Sequence, residues 1–147
     1  MNVVIDANLF LALVLPLPYS EKSLELFQAL GQAGSVIHAP SLWSYEVVSA
    51  LRKAFVHRLL EQDELDQSLR YLRDLSVHDV PQTLWLQRQS LVWADRLGST
   101  KAYDSAYLAA AESLQAEFWT ADRSLANAAK ETGAVWVHCI DDFSPEM

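Results

Sequence analysis

The chain has 147 residues, 51% of them hydrophobic, enough to bury one substantial core and short for two ordinary domains, so a single domain over 1–147 is expected. Its one cysteine, Cys139, excludes an intramolecular disulfide and a thiolate zinc cluster, which fits a reducing, cytoplasmic setting. Nineteen acidic residues against eleven basic give a formal charge of −8, which repels a phosphate backbone and argues against broad, non-specific nucleic-acid binding unless bound cations offset part of it.

In chain order, Val3-Val4-Ile5 reads as a short buried strand ending at Asp6, and Asn8 is expected to cap a helix through Leu15 that Pro16 and Pro18 close. The apolar run Leu9–Leu17 has no basic leader, contains Pro16 and is well short of the ~20 residues of a membrane span, so neither an export signal nor an anchor is expected. Ser20 starts a second helix running to the Gly31/Gly34 region, and Val36–Ala39 is a second strand. Pro40-Ser41 opens a long helix holding Trp43, Glu46, Val47, Ala50, Leu51, Ala54 and Phe55 and ending near Leu60. A helix over Asp63–Leu75, a strand at Val77–Val80 and a helix begun by Pro81 follow, the last stopping at Gly98 as its C-cap. An alanine-rich helix Ser105–Gln115, a strand Glu117–Thr120, a helix Arg123–Thr132 closed by Gly133 and a strand Ala134–His138 complete the chain. Strands alternating with helices imply an α/β fold, a parallel sheet covered on both faces.

Ligand sites in such sheets form at the carboxyl ends of the strands, where strand order reverses. Asp6 directly follows the first strand and Asp122 the Glu117–Thr120 strand. Glu46 lies in the second turn of the helix after strand two, and Asp104 at the start of the alanine-rich helix, so all four can lean over one edge. Two like charges ~5 Å apart repel by roughly 3 kcal/mol at an effective dielectric of ~20, a cost that a divalent cation removes. Oxygen ligands without imidazole or thiolate suit magnesium or manganese, which share their coordination with phosphate oxygens and activate water. The expected reaction is hydrolysis of a phosphodiester.

Taken singly, each acid has an ordinary explanation as well. Asp104 and Asp122 precede helices and can serve as N-caps, Asp6 can close a turn, and Glu46 can sit at a solvated edge. What separates the readings is whether the four meet.

The stretches Val4-Ile5-Asp6-Ala7-Asn8, Ser44-Tyr45-Glu46-Val47, Tyr103-Asp104-Ser105-Ala106-Tyr107-Leu108-Ala109-Ala110-Ala111-Glu112 and Trp119-Thr120-Ala121-Asp122-Arg123-Ser124-Leu125 resemble the four motif blocks of PIN domains. Their order and spacing are most similar to the toxin ribonucleases of VapBC toxin–antitoxin pairs. The resemblance implies a three-layer α/β/α sandwich with a short parallel sheet and a Mg2+ or Mn2+ site made by Asp6, Glu46, Asp104 and Asp122, with supporting polar roles for Asn8 and Thr120. It also implies an RNA substrate, an antitoxin partner packing along the toxin groove, and a homodimer. Basic residues near the acids, Lys53, Lys101 and Arg123, are candidates for contacts to RNA phosphates, with ordinary surface charge as the alternative for each.

Other functions fare worse. Asp6-Ala7-Asn8-Leu9 offers no glycine for a dinucleotide turn, and no G-x-S-x-G marks a serine hydrolase. A phospho-acceptor domain would want an Asp after the third strand, where only Asp79, inside the strand, is available. A PIN-like module that binds RNA or protein without cutting is the remaining competitor. His38, His57, His78 and His138 show no zinc-binding spacing, and Trp43, Trp85 and Trp93 fall at apolar helix positions, most of them expected in the core, with a dimer or antitoxin groove as the alternative for one or two.

Overall fold

The structure, a computed structural model, describes residues 1–146. Five parallel strands form one sheet flanked by helices: β1 (Asn2–Ile5), β2 (Val36–Pro40), β3 (His78–Val80), β4 (Glu117–Thr120) and β5 (Val137–Cys139). Their spatial order is β3-β2-β1-β4-β5, with every neighbouring pair parallel. The chain therefore builds outward from β1 to one edge and then crosses to the other side. Strand order reverses between β1 and β4, the position where open parallel sheets leave a crevice at their carboxyl ends.

The apolar runs explain this sheet. Parallel strands are covered on both faces, so their sequences read as continuous hydrophobic stretches, as Val3-Val4-Ile5 does. Val4, Ile5, Phe118 and Val137 are all fully buried. Between the strands lie α1 (Ala7–Leu11), α2 (Ser20–Gln32), α3 (Leu42–Val56), α4 (Gln62–Arg73), α5 (Leu84–Leu97), α6 (Tyr103–Leu114) and α7 (Arg123–Glu131), with a short 3-10 turn at Ile140–Asp142. The alanine-rich α6 packs across β1, β2 and β4, and its run from Ser105 to Ala111 is entirely buried. Small side chains allow that close approach of helix to sheet.

Several local expectations change. Asn8 does not cap α1: the helix starts at Ala7 with Asp6 at the cap position, and Asn8 lies inside the first turn with its amide committed to tertiary partners. Pro81 does not begin α5, which starts at Leu84 because Thr83 accepts the backbone N–H of Leu86 at 3.1 Å. The helix does end at Gly98, whose φ of 64° gives the left-handed C-cap expected there. The third helix closes at Val56 rather than near Leu60, with Arg58 in a positive-φ turn immediately after. Trp93 belongs to the core as expected, whereas Trp85 is 52% exposed, on an outward face of α5 that also shows Leu84, Leu91 and Val92. No helix among the described residues is long and apolar enough to cross a membrane.

Candidate active site

Asp6 and Thr120 come together because β1 and β4 are in parallel register. Ile5 pairs with Trp119, and the Asp6 N–H donates to the Trp119 carbonyl at 3.0 Å, so the two residues leave the sheet side by side at its carboxyl edge. There the Thr120 hydroxyl donates to Asp6 Oδ2 at 2.8 Å. The Asn8 amide reaches the same oxygen at 3.3 Å and Thr120 Oγ1 at 3.4 Å, while its carbonyl accepts the Ala121 N–H at 3.2 Å. The Asp122 N–H donates to Thr120 Oγ1 at 3.0 Å. One buried hydroxyl thus fixes Asp6 and the turn that carries Asp122.

Glu46 and Asp104 arrive from helices whose N-termini open onto the same edge. Glu46 projects from α3, which follows β2 directly, and is half-buried because the hydroxyl of Tyr107 donates to its Oε1 at 2.6 Å. Asp104 occupies the first turn of α6, one turn before Tyr107, and positions three apart share a helix face. It is not an N-cap, since Ala102 holds that position. Asp122 does cap α7, its Oδ1 accepting the Leu125 N–H at 3.1 Å, so its ordinary structural role is real.

The electrostatics link all four acids. Burial pushes the Asp6 carboxyl up to about 7, opposed by the Thr120 hydrogen bond and reinforced by the charges of Asp104 and Glu46. Glu46 is raised by burial, eased by the Tyr107 hydrogen bond and raised again by Asp104. Asp104 stands open to solvent on one side; it is raised by partial burial and by Asp122. Among the described residues, no three carboxylate, imidazole or thiolate side chains are gathered closely enough to hold a metal ion as they stand. Three of the four acids are instead turned to hydrogen-bond donors: Asp6 to Thr120 and Asn8, Glu46 to Tyr107, and Asp122 to the start of α7. The donor set, hard carboxylate oxygens with neutral hydroxyl and amide groups behind them, suits a hard divalent cation.

The three basic candidates differ. Lys53 and Lys101 are exposed and form no ion pair among the described residues. The Arg123 guanidinium is engaged by both oxygens of Asp142, at 2.8 and 2.9 Å, so a phosphate would have to displace that pair. Tyr107 lies within the third motif block, but its type and spacing do not announce the hydrogen bond that its hydroxyl makes to Glu46. Two of the four histidines are tied to sheet neighbours by hydrogen bonds, His38 to Asn2 at 3.0 Å and His138 to Glu117.

Comparison with known proteins bears on this arrangement. Residues 3–131 match the PIN domain family. Ribonuclease VapC3 of Pyrobaculum aerophilum is 33% identical over 130 residues, covering 86% of this chain and 93% of that protein. Among solved structures, PAE2754 of Pyrobaculum aerophilum superposes with a TM-score of 0.66 at 20% identity, covering 96% of this chain and 90% of the other. A chain of VapBC2 from Rickettsia felis, solved bound to a DNA fragment from its promoter, gives 0.69 at 10% identity, with 95% and 98% covered. A chain of a toxin–antitoxin complex from Klebsiella pneumoniae gives 0.62 at 15%, with 97% of each chain covered. The PIN-domain match over most of the chain and the identity to ribonuclease VapC3 agree, and the sheet matches those of the solved neighbours: this protein belongs to the PIN-domain family.

Proposed function

We propose that this chain is a Mg2+- or Mn2+-dependent endoribonuclease, acting in the cytoplasm as the toxin of a type II toxin–antitoxin pair. The observation that carries the reading is that Asp6 and the turn bearing Asp122 are joined through the Thr120 hydroxyl at the carboxyl edge of β1 and β4, while Tyr107, one turn after Asp104 on α6, holds Glu46. The likeness to ribonuclease VapC3 and to chains of toxin–antitoxin complexes supports it.

Asp6, Glu46, Asp104 and Asp122 would hold the cation. When bound, it supplies Lewis acidity, lowering the pKa of water and offsetting charge on the phosphate oxygens. The chain's own residues prepare that site. Thr120 and Asn8 converge on Asp6 Oδ2, which fixes the carboxylate plane and leaves its second oxygen free of these donors. Tyr107 does the same for Glu46 through Oε1. In the hydrolysis water adds to phosphorus, the bond from phosphorus to the leaving ester oxygen breaks, and that oxygen takes up a proton. Lys53 and Lys101, exposed near the acids in sequence, are available to phosphates flanking the cut. A homodimer would cover the outward face of α5 with its exposed Leu84, Trp85 and Val92.

Cleavage of total RNA by wild type and Asp104→Asn, each with manganese, with magnesium and with a chelator, tests the proposal. Discrete products that require wild type and metal together are expected. Equal cutting by the variant would assign the activity to a contaminant, and RNA binding without cleavage in any metal would favour the non-catalytic module.

A further inference from the structure

Beside the acidic crevice lies a groove of about 650 Å3, within the ~300–1,000 Å3 typical of small-ligand clefts, between the start of α3, α5 and the start of α6. Its lining includes the apolar Leu42 and Leu91, the aromatic Tyr103, and the polar Gln82, Gln87 and Lys101. Two of these residues lie in register with the proposed active site. Leu42 precedes Glu46 by four positions on α3, and Tyr103 precedes Tyr107 by four on α6, so the groove continues the two helix faces that meet in the Tyr107–Glu46 hydrogen bond.

We infer that this groove receives a nucleobase of single-stranded RNA adjacent to the scissile phosphate, an inference that rests on the ribonuclease reading above. An exposed tyrosine beside a phosphodiester site is a stacking platform for an unpaired base. The two glutamine amides supply donors and acceptors for a base edge, groups that burial under a purely apolar partner would leave unsatisfied. Charge points the same way. In a chain of net charge −8, Lys101 stands on the rim without an ion pair among the described residues. Its backbone is pinned by Ser99, whose hydroxyl donates to the Lys101 carbonyl at 2.8 Å and accepts the Lys101 N–H at 3.2 Å. A cation held there meets the phosphate of a nucleotide whose base fills the groove. Duplex RNA, its bases already paired and stacked, cannot use the site.

The test is binding of a fluorescein-labelled, mixed-sequence, single-stranded RNA oligonucleotide to Asp104→Asn protein, read by anisotropy, with Tyr103→Ala, Tyr103→Phe and Gln87→Ala added on that background. Tyr103→Ala is expected to weaken binding by roughly ten-fold or more and Tyr103→Phe to restore it, because the ring and not the hydroxyl stacks. A uniformly abasic oligonucleotide of the same length should bind the Asp104→Asn parent and its Tyr103→Ala derivative alike. Equal affinity of Tyr103→Ala for the intact RNA, while wild type still cleaves RNA with manganese, would overturn the groove and leave the ribonuclease standing. So would dissociation of a dimer by Tyr103→Ala, in light scattering, with RNA affinity unchanged, which would assign the groove to a second copy. Absence of both binding and cleavage in the parent proteins would overturn the two readings together.

Discussion

The hydroxyl of Tyr107, on α6, donates to Oε1 of Glu46, on α3, at 2.6 Å, and the tyrosine is itself only 1% exposed. Because Asp104 lies one turn before Tyr107, α6 supplies one proposed ligand and orients another. Tyr107→Phe keeps the ring against Phe118, 5.9 Å away between centroids, and removes only the hydrogen bond. Groups that orient metal ligands commonly contribute 10–100-fold to metal affinity. Manganese titration calorimetry should show a loss of roughly that size in Tyr107→Phe. Denaturant unfolding without metal should show a loss of about 1–3 kcal/mol, from the carboxylate left without its donor. Unchanged manganese affinity would reduce Tyr107 to a core residue.

The raised carboxyl of Asp6 predicts a stability profile. Its folded pKa, about 7, lies above the 3.8 of the unfolded chain, so its contribution is fully present below about pH 4 and is lost as pH rises through 7. Glu46 and Asp104 are shifted in the same direction. In chelator, the melting temperature should therefore fall between pH 5 and pH 8, and manganese should raise it more at pH 8 than at pH 5. Asp6→Asn should stabilise the metal-free protein at pH 8, on the order of a few kcal/mol, while abolishing the manganese effect. A pH-independent melting temperature in chelator would contradict the buried-acid account.

Asp122 carries two roles that substitution can separate. Asn retains an oxygen for the Leu125 N–H, whereas Ala removes the cap, at a cost of about 1 kcal/mol. Asp122→Asn should unfold like wild type and Asp122→Ala at lower denaturant, yet both should lose RNA cleavage. Full activity in either would leave Asp122 as a cap alone.

Lys53 lies seven positions after Glu46, two turns further along nearly the same face of α3. If it meets a phosphate, Lys53→Glu should raise KM at low salt and reduce the slope of log affinity against log salt by roughly one. An unchanged salt slope would return it to ordinary surface charge.

The acids are legible in the sequence for a physical reason: strands buried on both faces are short apolar runs, so the first polar residue after each marks the carboxyl edge where sites form. Asp6 and Asp122 stand at such ends, and α3 and α6 begin there too. The groups behind the acids are harder to see. Tyr107 contacts a partner 61 positions away, and Thr120 one 114 away, so neither pairing leaves a local pattern. Asn8 misleads because a cap and a tertiary hydrogen-bonding residue look alike immediately after a strand. Which tryptophan stands outside the core is not legible, because α5 is apolar on its outward face, at Trp85, as well as on its inward one, at Trp93.

The central claim, that the four acids form one catalytic centre, is tested most directly by single-turnover RNA cleavage in saturating manganese. The proteins to compare are wild type, Asp6→Asn, Glu46→Gln, Asp104→Asn, Asp122→Asn and the Asp104→Asn/Asp122→Asn double variant. Residues that act as a unit are strongly non-additive. The account predicts that each single change costs roughly 10²-fold or more and that the double variant is little worse than its more damaging parent. A near-wild-type rate in any single variant, or losses that multiply in the double, would contradict it.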